Sequence, residues 1–157
     1  MREILFRGKQ TSDGKWVYGF YIENETFGNT LIPSIIPIDE NGAARFDDDG
    51  YDIEIYVIPE TVGQYTGLTD KNGKQIFEGD ILGAKHPKQM KAVPCLVKYG
   101  EYKDEDGLND CRYLGFCLQA LGKCCSILTP LSDGIEYEVI GNIHDNPELL
   151  ERGAKNE

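Results

Sequence analysis

A chain of 157 residues, 40% hydrophobic and 27% charged, carries enough apolar material for one compact domain or two small ones without disulfide support. Its formal net charge of -11 at pH 7 spreads a negative field over the surface, which disfavours nonspecific attraction to phosphate backbones and acidic lipid headgroups. No apolar run has the length of a signal-peptide core or a membrane span, so the expected location is the cytoplasm, where Cys95, Cys111, Cys117, Cys124 and Cys125 stay reduced.

In chain order, the first strand is expected at residues 4–6 and the second at 16–22. In the second, Trp16, Tyr18 and Phe20 share one face and Val17, Gly19 and Tyr21 the other, so at least one row belongs to a core. If the face carrying Tyr21 is the open one, Tyr21 contributes to an interface; the sequence does not choose between the faces. A short strand follows at 43–46. Residues 51–58 alternate with period two, placing Ile53, Ile55 and Val57 against Asp52, Glu54 and Tyr56, the pattern of a half-buried strand. A composition shift at Pro59 and Glu60 then divides a β element at 1–60 from a β domain at 61–150, with 151–157 as a tail lacking an apolar anchor.

Beyond that shift, strands are expected at 75–77, 80–83, 93–99, 111–118 and 135–143, with 100–109 as the longest exposed loop. Asx-Gly pairs at Asp13-Gly14, Asn41-Gly42, Asp49-Gly50, Asn72-Gly73, Asp106-Gly107 and Asp133-Gly134 supply tight turns. A helix is expected only at the end, where Asn146 offers a cap, Pro147 a preset φ and Glu148 a charge suited to the positive end of the dipole. Leu149 and Leu150 would dock it. Short strands joined by turns suit a barrel or a sandwich alike.

Four acidic turns, beginning at Asp39, Asp47, Asp70 and Asp104, imitate the middle of a calcium loop. An EF-hand also needs an oxygen ligand two residues earlier and a Glu six residues after the glycine, and all four turns fail that test, so turn chemistry is the reading adopted. The cysteines form no Cys-x-x-Cys pair and the two histidines, His86 and His144, stand far apart, which gives no metal or other cofactor a ligand set. Cys124 and Cys125, beside Lys123, are the thiols best placed for reactivity. Glu78 and Asp80 are the carboxylates set between apolar residues. The simplest role for Asp80 is to satisfy turn backbone groups while Glu78 points outward. Lys71, Lys74, Lys85, Lys88 and Lys91 concentrate in the middle of the chain as a candidate basic patch.

The stretch Gln64-Tyr-Thr-Gly-Leu-Thr-Asp-Lys-Asn-Gly-Lys-Gln-Ile-Phe-Glu-Gly-Asp80 resembles the signature of the YopX family. Glu138-Val-Ile-Gly-Asn-Ile-His-Asp-Asn-Pro-Glu-Leu-Leu150 resembles its C-terminal block, and Arg2-Glu-Ile-Leu-Phe-Arg7 with Trp16-Val-Tyr-Gly-Phe20 its start. The resemblance implies a mainly β protein of bacterial viruses and prophages, with an SH3-like barrel at 61–150, and a family whose biochemical role is not established. The function expected is a non-enzymatic interaction or self-assembly module in the host cytoplasm. Its partner is then a host or phage protein or a second copy, not a membrane. The alternative is a nucleic-acid accessory factor using the lysine patch; it rests on fold analogy, and the acidic charge opposes it.

Overall fold

The computed structural model describes residues 4–25, 31–85, 93–103, 112–120 and 136–149. Strands dominate because β-branched and aromatic residues lie between Gly-containing turns at short intervals. Among the described residues ten strands occur: β1 (Phe6–Lys9), β2 (Trp16–Glu25), β3 (Leu31–Pro37), β4 (Ile55–Tyr56), β5 (Gly63–Thr69), β6 (Gln75–Phe77), β7 (Asp80–Lys85), β8 (Val93–Lys103), β9 (Arg112–Ala120) and β10 (Glu136–Asn142). A 3-10 turn, Pro59–Thr61, precedes β5. The strands form two antiparallel sheets, in the orders β4-β3-β2-β1-β5-β6 and β10-β7-β8-β9. Among the described residues neither sheet closes on itself, so they do not form the expected barrel. The chain divides into two compact units, Met1–Gly67 and Leu68–Glu157, and the division falls inside β5.

The first unit is built on β1, β2 and β3. Phe6 pairs with Gly19 and Gly8 with Val17, so these residues lie on one side of the sheet together with Ile35, the partner of Tyr21. Val17, Ile35 and Val57 form the buried cluster there, with Phe6, Ile55 and Val62 packed against it. Two glycines permit the close approach: a Cβ on Gly8 would lie 3.0 Å from that of Val57, and one on Gly19 only 1.9 Å from the Ile36 carbonyl oxygen. The row carrying Val17 and Gly19 therefore faces the core. Tyr18 and Phe20 face outward.

The second unit packs Ile76, Leu82, Cys95, Val97, Leu118 and Tyr137 into one buried cluster. Strand β8 pairs with β7 through Ile81↔Leu96 to Ala84↔Val93, and with β9 from Cys95↔Ala120 to Lys103↔Arg112. Strand β10 covers the other side of β7, with a register shift between Val139 and Gly141. A Cβ on Gly141 would meet Asn146 Oδ1 at 2.6 Å, so this glycine lets the closing turn fold back.

Differences from the expected elements follow simple rules. Strand β3 went unanticipated because Pro33 and Pro37 interrupt its run; its partner β4 pairs only with Ser34 and Ile35, between the two prolines that could not donate to a longer ladder. Residues 43–46 form bridges, Ile38 to Ala44 and Phe46 to Asp52, instead of a strand. The region 51–58 keeps its predicted alternation, with Val57 buried and Asp52, Glu54 and Tyr56 exposed, yet only Ile55–Tyr56 pairs as a strand. At the C-terminal end Glu148 and Leu149 begin a helical turn, and the rest of the expected helix lies outside the described residues.

Candidate functional site

Three Asp-x-x-Gly turns share one construction. Asp39 Oδ1 accepts from the N–H groups of Asn41 and Ala43, Asp47 Oδ1 from Asp49 and Tyr51, and Asp70 Oδ1 from Asn72 and Lys74, all within 2.8–3.0 Å. Gly42, Gly50 and Gly73 complete these turns at φ 80°, 85° and 81°, where a side chain would be strained. The carboxylates that imitate calcium ligands are thus engaged by their own backbone. Asp104 and its turn lie outside the described residues.

Asp70 does more than its two counterparts. Its second oxygen accepts from the Val139 N–H at 3.1 Å, joining the β5–β6 turn to β10. Burial opposes the charged form, but the N–H groups of Val139, Lys74 and Asn72 outweigh it and hold the carboxyl below its ordinary value. Beside it Lys71 N–H donates to the Tyr137 carbonyl, and Lys71 Nζ pairs with Glu138 at 2.5 Å. That pairing raises the Lys71 pKa, with Glu136 and Asp70 adding to the acidic surroundings. A second junction lies nearby in sequence: Ile143 N–H donates to the Gly79 carbonyl, Asp80 pairs in register with Asn142, and Asp80 Oδ2 accepts the Phe77 N–H at 2.8 Å. The 64–80 and 138–150 blocks quoted from the sequence therefore meet, and their polar residues fasten one to the other.

Of the other candidates, Glu78 Oε1 accepts from the Tyr99 N–H at 3.3 Å. Lys85 ends β7 opposite Glu136, and Lys74 is an exposed turn residue. Lys88, Lys91, Cys124, Cys125, Cys111 and His86 lie outside the described residues. Cys95 and Cys117 are buried thiols whose pKa burial pushes up, which lowers their thiolate fraction. His144 is half-buried and its N–H donates to Asn142 Oδ1, a turn role. Among the described residues no cluster of three or more His, Cys, Asp or Glu is arranged to hold a metal ion. No helix there is long and apolar enough to cross a membrane.

The largest chemical contrast in the first unit is on the outward face of β2. Tyr18 is 41% exposed and Phe20 38%, and Tyr56, which shares a register position with Ser34 on the same face, is 52% exposed. Lys9 pairs with Trp16 and Arg7 with Tyr18, so two cations flank this aromatic row. The Arg7 guanidinium lies 4.6 Å from the centre of the Trp16 ring and Lys9 Nζ 5.5 Å, both within cation–π range. Tyr21 is on the opposite face. Its ring packs at 5.3 Å on Phe6, its hydroxyl donates to Glu23, and burial together with that carboxylate pushes its pKa up to about 12. The sequence separates the two rows of this strand; their direction follows from the packing of Val17 with Ile35 and Val57, which no local signal in the sequence specifies.

Two antiparallel sheets, turns fastened by Asp side chains and interlocked signature blocks define a mainly β protein. Over residues 5–151 the sequence matches the YopX protein family, and the chain belongs to it. Among solved structures, the crystal structure of protein EF1440 from Enterococcus faecalis is similar at 29% identity, covering 96% of this chain and 99% of that one, with a TM-score of 0.48. A comparison with curated proteins gives no match.

Proposed function

We propose that the protein is a non-enzymatic interaction module of phage or prophage origin, acting in the bacterial cytoplasm on a host or phage protein. The observation that carries this reading is the outward row of Tyr18 and Phe20, bordered by Tyr56, on a strand whose other face is core. Tyrosine and phenylalanine supply large contact area for little conformational cost, and aromatic side chains together with Arg are enriched at the centres of protein interfaces. The engagement of Asp39, Asp47, Asp70 and Asp80 by backbone N–H groups supports a structural role for these acids over a catalytic one. A lysine patch for nucleic acid draws less support, because Lys71 is held by Glu138 and Lys85 stands opposite Glu136.

The test is affinity capture from host cells with the parent chain and with the Tyr18→Ala/Phe20→Ala double variant, followed by identification of what is retained. The expected result is a specific protein retained by the parent and lost by a variant that melts at the same temperature. Equal capture by both chains, or nucleic acid as the retained species with steep loss on adding salt, overturns the reading.

A further inference from the structure

We propose that Asn41 is a self-modification site: in the folded protein its side chain loses ammonia to attack by the Gly42 backbone nitrogen, whereas Asn72, in a turn of the same build, is protected. The inference does not rest on the interaction-module reading, and it concerns a turn separate from the aromatic row of β2.

Asparagine followed by glycine is the pairing most open to this reaction, because no side chain on the second residue shields its nitrogen, and the reacting groups are already joined. The sequence has two such pairs, Asn41-Gly42 and Asn72-Gly73. In the reaction the Gly42 nitrogen, on releasing its proton to solvent, bonds to Asn41 Cγ, and the bond from Cγ to Nδ2 breaks; Nδ2 takes up a proton and leaves as ammonia. Water then opens the cyclic imide at either of its carbonyl carbons. The net exchange is water in and ammonia out, with nothing oxidised or reduced. The product is aspartate or its isomer, in which the main chain runs through the former side chain, and either one adds a negative charge.

Exposure does not separate the two sites, since Asn41 and Asn72 are both exposed. Nor does local build: Gly42 N–H donates to the Asp39 carbonyl at 3.0 Å and Gly73 N–H to that of Asp70 at 2.9 Å, with the glycines at φ 80° and 81°. The bonded N–H is the one whose nitrogen must attack, so the reaction runs from an opened turn and its rate follows how often that turn opens. Here the two turns differ. The Asp39 carboxylate is held by the N–H groups of Asn41 and Ala43 in its own turn, and Asp39, Glu40, Asn41 and Ala43 are all exposed. Asp70 is 7% exposed and also accepts from the Val139 N–H, while Lys71 N–H donates to the Tyr137 carbonyl, so opening 70–74 means breaking bonds to β10 as well. The third turn shows that the ordinary product fits: Asp49-Gly50 carries an aspartate at the position of Asn41, with Asp47 Oδ1 accepting from Asp49 and Tyr51 and Gly50 at φ 85°. Aspartate at position 41 therefore keeps the turn, whereas the isomer lengthens the main chain and displaces the Gly42 N–H from the Asp39 carbonyl.

The experiment holds the full chain folded in mildly alkaline buffer, samples it over time and maps its peptides by mass spectrometry, with fragmentation that distinguishes aspartate from its isomer. Conversion at Asn41 is expected, with Asn72 slower by at least about tenfold. In denaturant, where neither turn persists, the two asparagines should react at similar rates. Asp70→Ala, kept below its own melting temperature, should speed Asn72 and leave Asn41 unchanged, since it cuts the tie between the 70–74 turn and β10. No conversion at Asn41 in the folded chain, conversion of Asn72 at a comparable rate, a tenfold difference that persists in denaturant, or an Asn72 rate unmoved by Asp70→Ala each overturns the proposal.

Discussion

Asp70 shows how one carboxylate sets local and long-range structure together. Asp39 and Asp47 fasten their own turns, while Asp70 also accepts from Val139, on a strand distant in sequence. Replacing it with Ala leaves three N–H groups without their acceptor, and Asp70→Ala should cost about 2–4 kcal/mol at pH 7, measured by denaturant unfolding. The pH dependence has a defined sign. Folded Asp70 has a lowered pKa, so the unfolded chain binds more protons near the ordinary value of 3.8, and the contribution is present above that value and lost as pH falls through the folded-state pKa. The stability gap between parent and variant should accordingly narrow on acidification through this range. A gap that stays constant, or widens, would show that the side chain contributes through packing alone. The Asp-x-x-Gly wording made the turn legible in the sequence. The bond to Val139 was not legible, because nothing in a turn motif specifies which distant strand its second oxygen will meet.

At the level of elements, the sequence revealed alternation more readily than direction. Strands at 75–77 and 93–99 could be read from short apolar runs, and β2 from its aromatic alternation, but Trp16, Tyr18 and Phe20 looked as suited to a core as Val17 and Gly19. What decides is tertiary packing: Val17 is buried with Ile35 and Val57, and the row carrying Tyr18 and Phe20 is left exposed. Strand β5 escaped recognition because Gly63-Gln-Tyr-Thr-Gly-Leu-Thr69 has no sustained period, its place being fixed by pairing with β1. Trp16 tests the direction. Half-buried between Arg7 and Lys9, it should be accessible to a neutral quencher in the native state. Trp16→Ala should cost about 1–2 kcal/mol, from lost cation–π and alkyl packing, instead of the roughly 3–5 kcal/mol of a core ring. A core-sized cost together with full protection from the quencher would place the ring inside.

For the whole molecule, the net charge of -11 sets conditions that individual contacts do not. Self-repulsion weakens any compact state, and exposed ion pairs such as Lys71–Glu138 recover little of it. Raising salt from about 0.05 M to about 0.5 M should therefore raise the melting temperature, because screening relieves repulsion by more than it weakens the pairs. A falling melting temperature would assign the balance to the ion pairs instead. The interlock between the two signature blocks also bears on how the protein is made. Asp70 and Val139 are 69 positions apart, so a nascent chain exposes its β5–β6 hairpin long before the strand that fastens it has been synthesised. Until β10 leaves the ribosome, one side of β7 stays open and the second unit lacks its closing contact, a state prone to pairing with neighbouring chains. A chain that lacks Val139 and the rest of β10 is thus left without the strand that pairs along one side of β7 and without the acceptor–donor bond that fastens the Asp70 turn.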